Sequence, residues 1–283
     1  MSGGLVVKIC LVSDIHHGKN NYSNIYNDAI PLINEFHEFC NLHKPDLVME
    51  LGDRINDSTY ETDFKLASEV AEAFTKNKYK IFHLNGNHDI CNLSAKDNAN
   101  IFQQNEESEY LELEDINVAI WRAETRLENS RSFRGIHIQE SDLSWLAEIC
   151  NSNTKPLLIF SHVPLSGKNQ LGNVFFENNL ELSRYAKFRE IRTILKSSLA
   201  PTYCFAGHIH QNSYCQIDGI SHFTQQSLTE TYVTNNEISC TMGLIEVNQT
   251  LKWQAFGNDE VKIEEPVNRR NVALPIGKIA PND

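Results

Sequence analysis

The alternation of short apolar runs with amphipathic helical segments is the feature of this sequence that most restricts its fold. Runs rich in β-branched residues are followed by stretches in which apolar residues recur at helical spacing. The predicted strands cover residues 5–12, 46–51, 79–84, 157–161 and 202–206, with helices at about 28–43, 62–76, 141–150 and 180–198. This alternation is typical of helices packed on a largely parallel sheet, so we predict an α/β fold.

Pairs of short strands interrupt and then close this alternation. Residues 110–113 and 117–122 resemble paired strands, and the Asp218-Gly219 dipeptide indicates a hairpin turn. A last hairpin is predicted over 242–247 and 251–255. From residue 257 the chain is polar and contains three prolines, which favours a surface arm or a disordered tail over 257–283. We therefore expect one domain over residues 1–256.

Charge and cysteine content exclude several classes of partner and compartment. The chain has 25 basic and 37 acidic residues, a net charge of −12, which argues against a nucleic-acid polymer as partner. Its apolar run near the start is too short for a membrane span and lacks the features of a secretory signal. Seven cysteines without a Cys-x-x-Cys motif predict free thiols, and hence a reducing cytoplasmic location.

Side chains that can bind metal ions follow five of the predicted strands. In an open sheet, ligands bind in the crevice beyond the carboxyl ends of the strands, so five strands can direct donors to one point. Alternate residues of an extended segment share a direction, which predicts that Asp14 and His16 act together, as do His208 and His210. The five segments are Asp14-Ile15-His16, Gly52-Asp53, Gly86-Asn87-His88-Asp89, His162 and Gly207-His208-Ile209-His210.

The donors in these segments are oxygen and nitrogen atoms, without sulfur. This set suits manganese or iron, and also zinc, better than calcium or copper(I). A carboxylate is needed to bridge two cations, and Asp53 is the candidate. Two ions held about 3.5–4 Å apart can orient a substrate and activate a water for hydrolysis.

The ordered set of motifs resembles the calcineurin-like metallophosphoesterase superfamily, and the resemblance extends from Asp14 to His210. It implies a four-layer α/β/β/α sandwich of two mixed sheets flanked by helices, which hydrolyses a phosphate ester with two adjacent metal ions. It also implies that Asp53 bridges the metals, that His88 contacts the substrate phosphate and that Asp89 orients His88. The implied ligands are Asp14, His16 and His210 for one metal, and Asn87, His162 and His208 for the other.

The form of the motifs favours one branch of this superfamily. Gly-Asn-His-Asp resembles the bacterial cyclic-nucleotide and glycerophosphodiester phosphodiesterases more than the protein phosphatases, which carry Gly-Asn-His-Glu. We therefore expect hydrolysis of a small-molecule phosphodiester or pyrophosphate-type bond. A phosphomonoesterase, and a scaffold that keeps the fold without activity, remain alternatives. A small phosphate ester is the expected partner, no membrane is expected, and a homo-oligomer is left open.

Four residues near the motifs have two interpretations each. Arg54 follows the bridging carboxylate and either binds the phosphate or pairs with a nearby acid. His17 is adjacent to a ligand and either contacts substrate or points away. Both are candidate substrate-binding residues. Phe175 and Phe176 lie in the long loop 163–179 and either stack on a base or pack the loop down, with packing the favoured alternative.

Overall fold

A computed structural model describes residues 6–20, 27–130 and 133–267. Two six-stranded mixed sheets pack face to face, and helices cover their outer surfaces, which confirms the predicted α/β sandwich. None of the helices in the described ranges has the length and apolar character that crossing a lipid bilayer requires. The helices are α1 (Ile30–His43), α2 (Tyr60–Phe74), α3 (Ala95–Phe102), α4 (Glu140–Ser152) and α5 (Phe188–Ser197).

The strand order explains how distant segments become neighbours. In chain order the strands are β1 (Val7–Val12), β2 (Leu47–Glu50), β3 (Ile81–His83), β4 (Glu109–Glu112), β5 (Asn117–Ile120), β6 (Leu127–Asn129), β7 (Arg134–Ile136), β8 (Leu157–Phe160), β9 (Thr202–Ala206), β10 (Ser213–Ile217), β11 (Ile220–Thr224), β12 (Met242–Val247), β13 (Thr250–Phe256) and β14 (Val261–Pro266). The first sheet has the order β14-β13-β12-β1-β2-β3 and the second β10-β11-β9-β8-β5-β4, while β6 and β7 form a separate pair.

The core consists of three apolar layers. The central layer lies between the two sheets and includes the fully buried Leu11, Phe160 and Trp253. The other layers join α1 and α2 to the first sheet, and α4 and α5 to the second. Burying a large apolar side chain contributes roughly 1.5–3 kcal/mol, so these layers fix how the sheets face each other.

Parallel strands at the centre of each sheet position the functional segments. β1 pairs in parallel with β2 and β2 with β3, and β8 pairs in parallel with β9. The carboxyl ends of β1, β2 and β3 therefore lie at one edge of the first sheet, and those of β8 and β9 at one edge of the second. The turns that follow these five strands carry the predicted ligands and meet between the sheets.

The predicted pairs of strands are confirmed, whereas the predicted tail is wrong in its first part. β4 pairs antiparallel with β5 and β12 with β13, and the turn between β10 and β11 has positive φ at Asp218 and Gly219. Residues 261–266, predicted as part of a polar arm, form the edge strand β14 instead. Val261 and Ile263 alternate with Lys262 and Glu264, which is the pattern of a strand with one face on the core. Residues 268–283 of that arm lie outside the described residues.

Candidate metal centre

Two clusters of potential metal ligands share one carboxylate. The first contains Asp14, His16, Asp53 and His210, and the second contains Asp53, His162 and His208. In each cluster the candidate ligand atoms lie within 4.8 Å of one another. The side-chain oxygen of Asn87 lies 3.3 Å from Nε2 of His162, which adds it to the second cluster. The structure thus brings together all seven predicted ligand residues and places Asp53 between the two groups.

Each of the four histidines has one ring nitrogen held by a protein acceptor. Because that nitrogen donates a hydrogen bond, the other nitrogen carries no proton in the neutral ring and is free to bind a metal. The acceptors are Asn56 Oδ1 for His16 (2.8 Å), the Leu51 carbonyl for His162 (2.8 Å), the Leu182 carbonyl for His208 (2.8 Å) and Glu230 Oε2 for His210 (2.9 Å). All four tautomers are therefore fixed for ligation.

The free nitrogens of His16 and His210 need a cation between them. Their Nε2 atoms lie only 3.0 Å apart, and neither carries a proton when both rings are neutral and Asn56 and Glu230 hold the opposite nitrogens. Two lone pairs at this distance repel each other. In the metal-free chain a proton on His210 removes the repulsion, and a divalent ion that accepts both lone pairs would replace that proton, so the donor arrangement fits a metal site.

The charges around the clusters also favour cations. Burial lowers the pKa of His210 and His162, but nearby carboxylates outweigh it. Asp14 and Glu230 raise the pKa of His210 to about 10, and Asp53 raises that of His162 to about 9. In the metal-free chain both rings would thus hold protons, which divalent ions would displace on binding.

The backbone of five predicted ligands adopts the left-handed conformation, which differs from the predicted extended geometry. A non-glycine residue in this region costs of order 1–3 kcal/mol and persists only where the surroundings fix it. Here the backbone amide of Asp14 donates to Gly52 and that of His16 to Asp53. The φ angles are 50° for Asp14, 49° for His16, 56° for Asp53, 69° for His208 and 58° for His210. The paired ligands therefore converge through tight turns and not through strand alternation.

Two glycines allow these turns to approach one another. A Cβ atom on Gly86 would overlap the carboxylate of Asp53, and one on Gly207 would overlap the side chains of Ser13 and Asp14. Both glycines belong to the predicted ligand segments. The structure shows that the absence of a side chain matters there because ligand segments from different strands pass directly against them.

His88 lies beside the centre, and the carboxylate that orients it is Asp57. The His88 ring centroid is 4.9 Å from that of His16, and its side chain is 33% exposed. Its Nδ1 donates to Asp57 Oδ1. Burial opposes protonation of the ring, but Asp53 and Asp57 outweigh it and raise the pKa of His88. His88 is therefore held as a proton donor that faces the centre.

Asp89 joins two ligand turns, so its predicted role in orienting His88 is wrong. Its carboxylate accepts hydrogen bonds from the backbone amides of Gly86, Asp53 and Arg54 at 2.8–2.9 Å. These bonds connect the turn after β3 to the turn after β2. Sequence reasoning missed Asp57, although it is an acid only four residues after Asp53 and could have been considered for this role.

Arg54 is buried behind the centre, which contradicts its predicted contact with substrate. Its guanidinium donates to Glu50 at 3.2 Å and to Asn85 and Asn98 at 2.7 and 2.9 Å. It also lies 3.3 Å from Asp89 Oδ2, and it is fully buried. Of the two interpretations, pairing with acids is the one that the structure shows.

His17 also points away from the centre, so its predicted substrate role is wrong. Its Nδ1 accepts a hydrogen bond from the Ala29 amide at 3.3 Å, which leaves the proton on Nε2. That nitrogen lies 3.0 Å from Glu69 of α2. The ring is 6% exposed and fastens the turn after β1 to the helical layer.

Replacing Arg54 by alanine should destabilise the fold by about 3–5 kcal/mol, because it leaves the buried carboxylates of Glu50 and Asp89 without their cation. Burial already raises the pKa of Glu50 to about 7 and that of Asp89 to about 6 despite this arginine. Urea unfolding at a fixed metal concentration measures the change. The control is Arg134→Ala, which removes an exposed pair with Glu181 and should cost about 1 kcal/mol or less. Equal losses in both variants would contradict a role for the buried network.

Comparison with known families agrees with this geometry. The family model for calcineurin-like phosphoesterases matches residues 7–212, which include every candidate ligand. The chain belongs to the calcineurin-like phosphoesterase family. Members of this family bind two divalent metal ions, in agreement with the two clusters that share Asp53. No curated protein sequence matches the chain.

Several solved structures share the fold at low sequence identity. A dimetal phosphatase from Danio rerio superposes with a TM-score of 0.74 at 16% identity, covering 93% of this chain and 99% of its own. The purple acid phosphatase PPD1 from yellow lupin has a TM-score of 0.64 at 12% identity, with coverages of 98% and 57%. GAP50, the anchor in the inner membrane complex of Plasmodium, has a TM-score of 0.55 at 9% identity, with coverages of 94% and 90%. At these identities the likeness establishes the architecture alone.

Proposed function

We propose that this phosphoesterase hydrolyses a phosphodiester or pyrophosphate-type bond in a small molecule. The observation that carries the proposal is the set of four histidines whose tautomers are fixed for ligation around Asp53. The oxygen and nitrogen donors suit two manganese or iron ions, with zinc as the alternative. Asp14, His16, Asp53 and His210 would hold one ion, and Asp53, Asn87, His162 and His208 the other.

When bound, two such ions neutralise the phosphate oxygens and activate a water for attack on phosphorus. The residues of the protein hold the ligands and His88 in position and supply one proton. His88 stands beside the ligands with its Nδ1 proton committed to Asp57, so the Nε2 proton of the charged ring is available to the leaving oxygen. Asp57 favours the charged ring by pairing with it. Asp89 accepts hydrogen bonds from the backbone amides of Gly86 and Asp53, and so fixes the turn that carries His88 relative to Asp53.

The placement of Arg54 supports a diester over a monoester. A monoester is a dianion, so fixed positive charge beyond the metals strengthens its binding. A diester is a monoanion and requires less of this additional positive charge. Arg54 is the cation adjacent to the bridging carboxylate in the sequence, but Glu50 and Asp89 occupy its guanidinium. The Gly-Asn-His-Asp motif, which resembles that of the bacterial cyclic-nucleotide and glycerophosphodiester phosphodiesterases, supports the same proposal. All seven cysteines are free thiols, which supports the proposed cytoplasmic location.

We expect diesters to be cleaved faster than monoesters. The measurement is kcat/KM for bis-p-nitrophenyl phosphate and for p-nitrophenyl phosphate with Mn²⁺, each divided by its uncatalysed rate. We expect the diester ratio to be larger by about tenfold, equivalent to 1.4 kcal/mol of transition-state binding. Cyclic AMP and ADP-ribose are the natural compounds to test next. A higher corrected ratio for the monoester would make the protein a phosphomonoesterase.

A further inference from the structure

The segment from residue 171 to residue 182 is fastened directly to the turn that carries His208 and His210. The buried Asn173 donates from Nδ2 to the Ile209 carbonyl at 2.8 Å. The Leu182 carbonyl accepts from Nε2 of His208 at the same distance. Because both bonds reach the ligand turn itself, the position of this segment is fixed relative to the metal centre.

Two phenylalanines in this segment form a chain of ring contacts that begins at His208. The Phe176 centroid lies 5.1 Å from that of His208, and the Phe175 ring meets Phe176 edge-on at 5.0 Å. Oδ1 of Asn173 accepts hydrogen bonds from the backbone amides of both residues, at 3.0 and 2.9 Å. The aromatic pair is thus held in place by a buried side chain that also contacts the ligand turn.

The sequence favoured packing for both rings, but the structure separates their roles. Phe176 is half-buried against His208, whereas Phe175 remains 47% exposed. Neighbouring Val174 is 73% exposed as well. An ordered apolar surface beside a polar centre is what a site needs to bind the organic part of a charged substrate.

We infer that Phe175 is a specificity-determining residue that stacks on a planar ring of the substrate, such as the base of a nucleoside whose phosphate is bound at the metal centre. This inference rests on the proposed function and narrows its substrate class to phosphate esters of ring-bearing alcohols. Aromatic side chains bind bases through stacking worth about 1–3 kcal/mol per base. Asn173 already fixes the backbone of Phe175, so this part of the chain loses little conformational freedom on binding, which adds to the affinity.

The test is calorimetric binding of AMP and of ribose 5-phosphate to the full-length protein loaded with Mn²⁺. These two probes share the phosphate and the sugar and differ in the base. We expect AMP to bind about tenfold more tightly, the lower end of a stacking contribution. Phe175→Ala should weaken AMP binding by about tenfold and change ribose 5-phosphate binding by less than about twofold. Phe175→Trp should retain the preference.

Val174→Ala is the matched control, because it truncates the adjacent exposed apolar residue without touching the aromatic pair. An equal loss of AMP affinity in this variant would assign the effect to the segment and overturn the role of Phe175. Hydrolysis of bis-p-nitrophenyl phosphate is followed in the same samples. If the protein hydrolyses this ester but binds AMP and ribose 5-phosphate equally, the inference about Phe175 is overturned and the proposed function stands. A base preference without any hydrolysis would support the inference and overturn the proposed function.

Discussion

Replacing His88 by alanine should lower kcat by about 10²–10⁴-fold, the size of a general acid–base contribution, while both metals remain bound. The ring is not needed to hold a metal, because the two clusters are complete without it. It lies against His16 with its Nδ1 proton directed to Asp57, so its loss removes a proton donor and leaves the ligand geometry intact. The measurement combines kcat on bis-p-nitrophenyl phosphate with metal content by mass spectrometry.

Asp57→Asn distinguishes proton transfer from simple contact. This variant keeps a hydrogen-bond acceptor beside His88 but removes the negative charge that raises its pKa. The charged ring is then less favoured, so the decline of kcat with rising pH should move to lower pH. His137→Ala is the control, since that histidine is 52% exposed and pairs with Glu128 on the surface. If His88→Ala lost metal while its metal-loaded fraction turned over normally, His88 would be a ligand.

Removal of the metals should abolish hydrolysis, and Asp53→Asn should have nearly the same effect. Asp53 is the one residue shared by both clusters, so the substitution weakens both sites at once. We expect the metal content of the purified protein to fall from up to two ions per chain, and kcat/KM to fall by about 10³-fold or more, since the bound ions supply several kcal/mol of charge stabilisation. Chelation followed by addition of Mn²⁺, Fe²⁺ or Zn²⁺ measures recovery.

A surface carboxylate provides the control for this substitution. Asp28 has a 65% exposed side chain and lies outside both clusters, so Asp28→Asn should leave metal content and turnover unchanged. Full activity in metal-free wild-type protein would contradict the two-metal mechanism. Activity restored by one equivalent of metal would limit catalysis to a single cluster.

The positions of the candidate ligands could be predicted because they depend on strand ends. Buried strands can be recognised in the sequence as apolar runs. The carboxyl ends of neighbouring parallel strands lie at the same edge of the sheet, whatever the conformation of the loops. The convergence of Asp14, Asp53 and His162 follows from these strand ends without knowledge of their partners. The sandwich follows from the same alternation, together with the resemblance of the motifs.

The partners of these residues could not be predicted, because they depend on how one turn meets another. Arg54 stands beside Asp53 in sequence, yet the left-handed turn at Asp53 leaves its side chain buried against Glu50. Asp57, and not Asp89, contacts the His88 ring for the same reason. Glu230, which fixes His210, lies twenty residues away in sequence and outside the five ligand-bearing segments. Local sequence identifies the donor but not the acceptor that folding brings to it.

Because the ligands come from both sheets, full metal loading requires a chain in which both sheets have folded. One cluster takes residues from the turns after β1, β2 and β9, and the other from the turns after β2, β3, β8 and β9, so neither half of the chain contains a full set of donors. During synthesis the amino-terminal ligands emerge long before His210, and that ring is oriented only when Glu230 is also in place. A chain that has not been synthesised beyond Glu230 therefore lacks the residues that hold both ions in place.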